Sequence, residues 1–307
     1  MSDKTKIIVV AGPTASGKTS IGIEIAKAVG GEIISADSMQ VYKGMSVATA
    51  APTACEQKQV THHLVEILNA EESFSVAKWC GLARECIDDI SNRGKVPIIV
   101  GGTGLFIDSL VDNICFEEIN IDTKLRDSLM QRDIDSLYNE LLRVDEESAL
   151  NIHKNNKKRV VRALELYYSG VSKTQQNINS RKIESPYDVL YFVLSYENRQ
   201  TLYDRINLRV DKMVENGLIE EAEKCLSNKS KTSAQAIGHK ELKPYFDRQC
   251  TIDDALSRLK QNTRNYAKRQ ITWFKRRCEA VNLIMDTKPY EEIVDTAIKA
   301  CEEFLNG

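Results

Sequence analysis

The chain has 307 residues, enough for one large domain or for one domain with an insertion. Its composition is that of an ordinary globular protein, and no apolar run approaches the ~20 residues that a membrane span needs. The net charge of −2 does not by itself point to nucleic acid, although the distribution of charge along the chain does. Eight scattered cysteines, with no C-x-x-C spacing and no histidines at metal spacing, read as reduced cytosolic thiols. The first strand follows directly on Lys6, which leaves no room for a targeting segment, so the expectation is a cytoplasmic protein. No coiled-coil heptads appear, and a monomer is expected.

Ile7 to Val10 is a short β-branched apolar run that predicts a buried strand. It leads into Gly12-Pro13-Thr14-Ala15-Ser16-Gly17-Lys18-Thr19, the G-x-x-x-x-G-K-[ST] phosphate loop. The backbone amides of such a loop and the helix N-terminus behind it concentrate positive potential on a phosphate chain. Lys18 adds a point charge, and the Thr19 hydroxyl is placed to hold Mg²⁺. Ser20 to Val29 predicts the following helix, with Ile21, Ile25 and Ala28 on one face. The motif fixes a phosphate ester as ligand without saying which one.

Glu32 to Asp37 reads as a second strand with a polar tip. Functional groups in open α/β sheets sit beyond the carboxyl ends of strands, which places Asp37 near the phosphate loop. Ser38, Met39 and Gln40 continue this tip. The competing reading is a helix N-cap made by Asp37 or Ser38. Ala48 to Pro52 is expected as a loop. His62 and His63 invite a metal reading, yet adjacent strand residues face opposite ways and no third ligand is evident. A structural or substrate-positioning role is favoured. Ser73 is expected to cap a helix over 76–91, and Val96 to Val100 predicts a buried strand.

That strand ends in Gly101-Gly102-Thr103-Gly104, where a nucleotide hydrolase would usually carry an acid for Mg²⁺. The glycines suggest backbone approached closely by a large ligand. Composition then shifts. Residues 117–147 are rich in acids, and a basic amphipathic helix follows, with Val160, Val161, Leu164 and Tyr168 on its apolar face. Lys158, Arg159 and Arg162 lie on or beside its other face. This stretch predicts an all-helical insertion over 113–187, so that the core would be 1–112 with 188–307.

Val189 to Ser195 predicts a strand that returns to the core. The long helix after Asn198 carries Arg205 and Arg209 one turn apart. They are either an exposed face paired with Asp204 and Asp211, or arginines reaching a phosphate. From Ala255 to Cys278 there is no acid at all. Arg264, Lys268 and Lys275 share an exposed face there, with Tyr266 and Trp273 interleaved. A single-sign stripe with aromatics is the footprint of a phosphate-backbone partner.

In their order and spacing these stretches resemble the tRNA dimethylallyltransferase family over nearly the whole chain. The matching segments include the phosphate loop, Ser35 to Met45, His62-His63-Leu64, Gly101 to Phe106, Arg159 to Glu165, Gln235 to Gly238 and Thr263 to Gln270. The resemblance implies a P-loop NTPase-like α/β core, a parallel sheet flanked by helices, with a helical insertion that contacts tRNA. It implies transfer of a dimethylallyl group from dimethylallyl diphosphate to N6 of adenosine 37, beside the anticodon, in tRNAs reading codons that begin with U. Gly12 to Thr19 would hold the diphosphate, with Mg²⁺ on Thr19. Asp37 would be the general base, Thr103 would assist at the reacting centre, and Arg205 would neutralise the departing diphosphate. Ser38, Met39 and Gln40 would meet the base flipped from the anticodon stem-loop. Lys158, Arg159, Arg162, Arg264 and Lys268 would meet the tRNA. The chain departs from the family pattern at Ala48 to Pro52, where Gly-Thr-Ala-Lys-Pro is usual, and at Phe106 and His239, where tyrosines are common. The absent lysine removes a cation, so weaker binding of diphosphate or tRNA is expected. The alternatives are an adenylate isopentenyltransferase, a small-molecule kinase and an RNA-binding protein without catalysis.

Overall fold

The computed structural model describes residues 4–114, 123–179, 183–226, 233 and 236–307. The acids Glu117, Glu118 and Asp122, and Ala234 with Gln235, lie outside them. Two compact units emerge, one formed by 1–111 with 186–307 and the other by 112–185.

The first unit is built on six parallel strands in the order β3-β2-β4-β1-β5-β6. These are β1 (Thr5–Ala11), β2 (Gly31–Ser35), β3 (His62–His63), β4 (Val96–Gly101), β5 (Tyr187–Ser195) and β6 (Val281–Ile284). Ile7 to Val10 are wholly buried, as a central strand covered on both faces requires. Strand residues alternate between faces. Ile8, Val10, Ile98, Val100, Phe192 and Leu194 therefore pack one way, with α1 (Lys18–Val29) and the last helix of the chain, α15 (Tyr290–Asn306). On α1 the buried residues are Ile21, Gly22, Ile23, Ile25 and Ala26; Ala28, expected on that face, is exposed.

Chain order continues with α2 (Ser46–Thr49) and α3 (Ala54–Gln59), so the loop expected at Ala48 begins as helix instead. Glu221 is the reason, because its carboxylate accepts from the Val47 and Ala48 amides at 2.8 and 2.9 Å and caps that turn. Helix α4 (Val76–Asn92) is capped by Ser75 rather than Ser73, and it packs against α5 (Gly104–Val111). The core ends with α11 (Arg199–Glu215), α12 (Leu218–Cys225), α13 (His239–Phe246) and α14 (Ile252–Phe274).

The second unit holds α6 (Thr123–Gln131), α7 (Ile134–Val144), α8 (Glu146–Asn151), α9 (Lys157–Tyr168) and α10 (Lys173–Asn179). Leu129, Leu137, Leu141, Val160, Val161 and Leu164 form its core. Asp145 caps α8 at the Ser148 amide and also accepts from the Thr174 amide and hydroxyl, which ties in α10. Tyr168 was expected on the apolar face of α9; it is half exposed, with its hydroxyl on Glu140.

Candidate active site

The phosphate loop joins β1 to α1. Gly12 and Gly17 have φ of 148° and 97°, which side chains other than glycine rarely adopt, and a Cβ at Gly12 would stand 2.8 Å from the Leu194 carbonyl. Lys18 folds back to donate from Nζ to the Pro13 carbonyl at 2.7 Å. Burial, helped by the nearby Arg209 cation and opposed by Asp37, pulls its pKa down to about 7. The Ser16 hydroxyl is buried with no partner among the described residues. Gln270 of α14 braces the loop. Its Oε1 accepts from the Thr14 amide and its Nε2 donates to the Gly102 carbonyl, both at 2.9 Å.

Asp37 follows β2 in an Asx turn, with Oδ1 accepting from the Met39 and Gln40 amides at 2.8 and 3.4 Å. The capping reading is thus half right, since the turn leads into no helix until Ser46. Thr103 sits opposite, where its hydroxyl accepts from the Ser38 amide at 3.2 Å and is hydrogen-bonded with Tyr266. Burial, and then Asp37, push the Tyr266 phenol up to about 12, so it stays protonated. Gln40 is committed to the scaffold. It accepts from the Ser35 hydroxyl and donates to the carbonyls of Thr49 and Ala50.

Two adjoining cavities open on these groups. The smaller, about 70 Å³, is lined by Lys18, Thr19, Asp37, Gln40 and His62 among others. The larger, about 150 Å³, is lined by Asp37, Ser38 and Met39 on one side and Val210, Met213 and Leu259 on the other. Thr14, Asp37, Arg209 and Tyr266 border both.

Arg205 and Arg209 do not form the acid-paired face that was one of the two readings of their helix. Arg205 donates from Nε to the Ala15 carbonyl at 3.0 Å, and Arg209 donates to the Thr49 carbonyl at 3.2 Å. Neither pairs with the acids named as alternatives: Asp211 takes Lys260, and Asp204 takes Gln200. Burial lowers the Arg209 pKa, against the pull of Asp37. The glycines at the end of β4 are crowded by the protein, because a Cβ at Gly101 would lie 2.2 Å from the Ala36 carbonyl and one at Gly104 2.3 Å from Trp273; Gly101 and Gly102 also line the smaller cavity.

Arg264 is held by Asn207 and Gln261, while Lys268 is exposed and lies over the Tyr203 ring. The aromatics of this basic run, Tyr266 and Trp273, have partners in the protein. Tyr266 faces the cavities, and Trp273 donates to Asp108 at 2.7 Å. In the helical unit, Lys158 and Arg159 are exposed, and Arg162 reaches Glu165 at 3.4 Å. Tyr266 and Gln270 border the smaller cavity with no site role assigned from the sequence, where Tyr266 carries a signal only as an aromatic inside a run of cations; Arg209 is read there as one of two arginines that could reach a phosphate.

A family model for IPP transferases matches residues 40–277, and one for isopentenyl transferases matches residues 5–68. The chain belongs to the tRNA dimethylallyltransferase family. It is 44% identical to the tRNA dimethylallyltransferase of Bacillus cereus (strain G9842) over 90% of this chain and 89% of that one. With the Bacillus subtilis (strain 168) member it shares 42% identity over 99% and 96% of the two chains. Among solved structures, the tRNA isopentenylpyrophosphate transferase of Bacillus halodurans is 38% identical and superposes with a TM-score of 0.75, covering 99% of this chain and 97% of its own. A eukaryotic dimethylallyltransferase acting on tRNA gives 0.85 at 30% identity, with 98% of this chain and 80% of that one covered. The family's P-loop-type core is the parallel sheet and phosphate loop described above.

Three departures from the family pattern have clear local settings. Ala48 packs where a Cβ on Gly238 would approach it to 3.2 Å. His239 is buried, with Nε2 2.8 Å from Glu221, the carboxylate that caps α2. Phe106 stacks on Trp79 with centroids 5.0 Å apart.

Proposed function

We propose that the protein transfers a dimethylallyl group from dimethylallyl diphosphate to N6 of adenosine 37, beside the anticodon, in tRNAs that read codons beginning with U. The observation that carries this reading is the position of Asp37. One carboxylate borders both cavities, with Lys18 and Thr19 on one side and a mixed polar and apolar pocket on the other.

The smaller cavity suits the diphosphate, and the larger suits the flipped base. N6 attacks the allylic carbon, the carbon–oxygen bond breaks, and its electron pair leaves with the diphosphate. Lys18, Arg205 and the loop amides take up that charge, which is usually the largest catalytic contribution. Asp37 collects the N6 proton, a contribution of ~10²–10⁴ in rate. Thr103, held between the Ser38 amide and Tyr266, orients the base against that carboxylate. A base in a loop is already poorly stacked, so its extrusion costs little.

A divalent cation fits the smaller cavity. Thr19 and Asp37 line it, and Mg²⁺ keeps water and phosphate oxygens around one or two protein ligands. When bound it would neutralise charge on the leaving diphosphate. Lys158, Arg159 and Arg162 of the helical unit, with Arg264 and Lys268 of α14, are the tRNA contacts of this reading, and the partner is the anticodon stem-loop. No helix among the described residues is long and apolar enough to cross a membrane.

The test offers labelled dimethylallyl diphosphate and Mg²⁺ with unmodified tRNA and with AMP in parallel. Label on tRNA alone is expected. Label on AMP alone would favour an adenylate isopentenyltransferase. Phosphoryl transfer from ATP without prenyl transfer would favour a kinase.

A further inference from the structure

His62 opens β3 and lines the smaller cavity with Lys18, Thr19, Ser35, Asp37 and Gln40. Its Nδ1 lies 2.8 Å from the Val60 carbonyl. A carbonyl only accepts, so Nδ1 carries the hydrogen and Nε2 of the neutral ring is left as a bare acceptor. That Nε2 is buried and has no hydrogen-bond partner among the described residues. Leaving a buried polar atom without a partner is unfavourable, so an orphan beside a ligand cavity points to a partner that arrives with the ligand.

The neighbours narrow what that partner is. Ser35 and Gln40 are bonded to each other, and the Gln40 amide is spent on the carbonyls of Thr49 and Ala50. Lys18 already donates to Pro13 and balances Asp37. Among the described residues no donor of the protein reaches His62 Nε2. A diphosphate presents only acceptor oxygens and cannot satisfy a second acceptor. Water bound to a cation is a strong donor and can. His63, next in sequence, is accounted for differently, because its Nε2 stands 2.7 Å from Glu32 in an ion cluster with Arg93 and Lys95.

We propose that His62 is a positioning residue for the divalent cation, its Nε2 accepting a hydrogen bond from a water in the cation's hydration shell. This rests on the reading of the smaller cavity as the diphosphate and cation site. A neutral acceptor in that place orients the hydrated cation toward Thr19 without adding a further charge to the cavity. Partners that orient a metal's ligands commonly change metal affinity 10–100-fold when removed.

The experiment titrates Mn²⁺ into the protein with inorganic diphosphate present, read by electron paramagnetic resonance. His62→Phe keeps a ring without the acceptor; His62→Gln keeps an acceptor oxygen. We expect His62→Phe to weaken Mn²⁺ binding on the order of tenfold or more, and His62→Gln to recover most of the loss. Affinity for inorganic diphosphate without metal should be unchanged in both. A folded His62→Phe that holds Mn²⁺ as tightly as the parent overturns the proposal, as does a loss of metal-free diphosphate affinity alone. Thr19→Ala in the same titration separates the two levels. If it weakens Mn²⁺ and His62→Phe does not, only the role of His62 falls; if neither does, the cation is held elsewhere and both readings fall. On the unmodified protein, the His62 Nε2 nitrogen resonance should move when Mg²⁺ is added to the diphosphate-loaded form, and no movement would likewise overturn the proposal.

Discussion

Arg205 donates from Nε to the Ala15 carbonyl, 3.0 Å away, so a side chain from α11 reaches the phosphate loop across 190 positions of sequence. Its guanidinium also lies over the Tyr196 ring, 6.0 Å from the centroid. Arg205→Ala should lower single-turnover prenyl transfer by ~10²–10³-fold, the cost of removing one charge-stabilising donor. Affinity for tRNA should stay within about twofold. Arg205→Lys should recover little, because an ammonium cannot reproduce the planar fork.

Lys18 should take up a proton when the donor binds. Its pKa of about 7 leaves it mostly neutral at pH 8, and a bound diphosphate favours the ammonium. Calorimetry at pH 8 in buffers of different ionisation heat should show uptake approaching one proton, fading at pH 6 where Lys18 is already charged. Affinity for the donor should consequently fall as pH rises above 7.

The same burial has a stability consequence. The folded pKa of Lys18 lies below the unfolded value, so the unfolded chain binds more protons between about 7 and 10.5, and stability rises with pH across that window. Lys18→Met should abolish transfer yet raise the thermal midpoint, with the gain largest below pH 7 and shrinking at alkaline pH. Scanning calorimetry at three pH values checks this.

Asp37→Asn separates base from scaffold. Asparagine retains an oxygen that can accept from the Met39 and Gln40 amides, so the turn should survive. Transfer should fall by ~10²–10⁴-fold with tRNA affinity preserved. An unchanged rate would show that another group collects the proton.

Glu32 anchors a cluster away from the chemistry. Hydrogen bonds from Arg93, opposed by burial and joined by Lys95 and His63, hold its carboxyl far below the usual carboxylate range. A depressed carboxylate contributes stability above its unfolded pKa and loses it as pH falls. Glu32→Gln should cost about 1–2 kcal/mol at pH 7, discounted because Arg93 and Lys95 are well exposed and can rehydrate. Urea unfolding at pH 7 and pH 3 should show that difference shrinking with acid.

The phosphate loop was legible because its chemistry is local: eight consecutive residues between a strand and a helix carry it. Asp37 was legible from its place at a strand tip. Tyr266 and Gln270 were not, because each sits inside a helix whose partners lie far along the chain; Gln270 and Thr14 are 256 positions apart. Trp273 was placed on the basic face because its cationic neighbours are sequential, whereas its partner Asp108 is 165 positions away. Likewise, nothing near Ala48 announces the α2 turn, since the carboxylate that caps it comes from α12.

Arg205 and Arg209 stand four positions apart on one uninterrupted helix, a rise of about 6 Å at 1.5 Å per residue. One holds the phosphate loop; the other borders both cavities. The helix therefore works as a ruler, and the stride between the phosphate loop and the cavities is set by its pitch rather than by any loop. A residue inserted between the two arginines would swing one of them about 100° away from the other. It would uncouple the two pockets while leaving every catalytic side chain in the sequence.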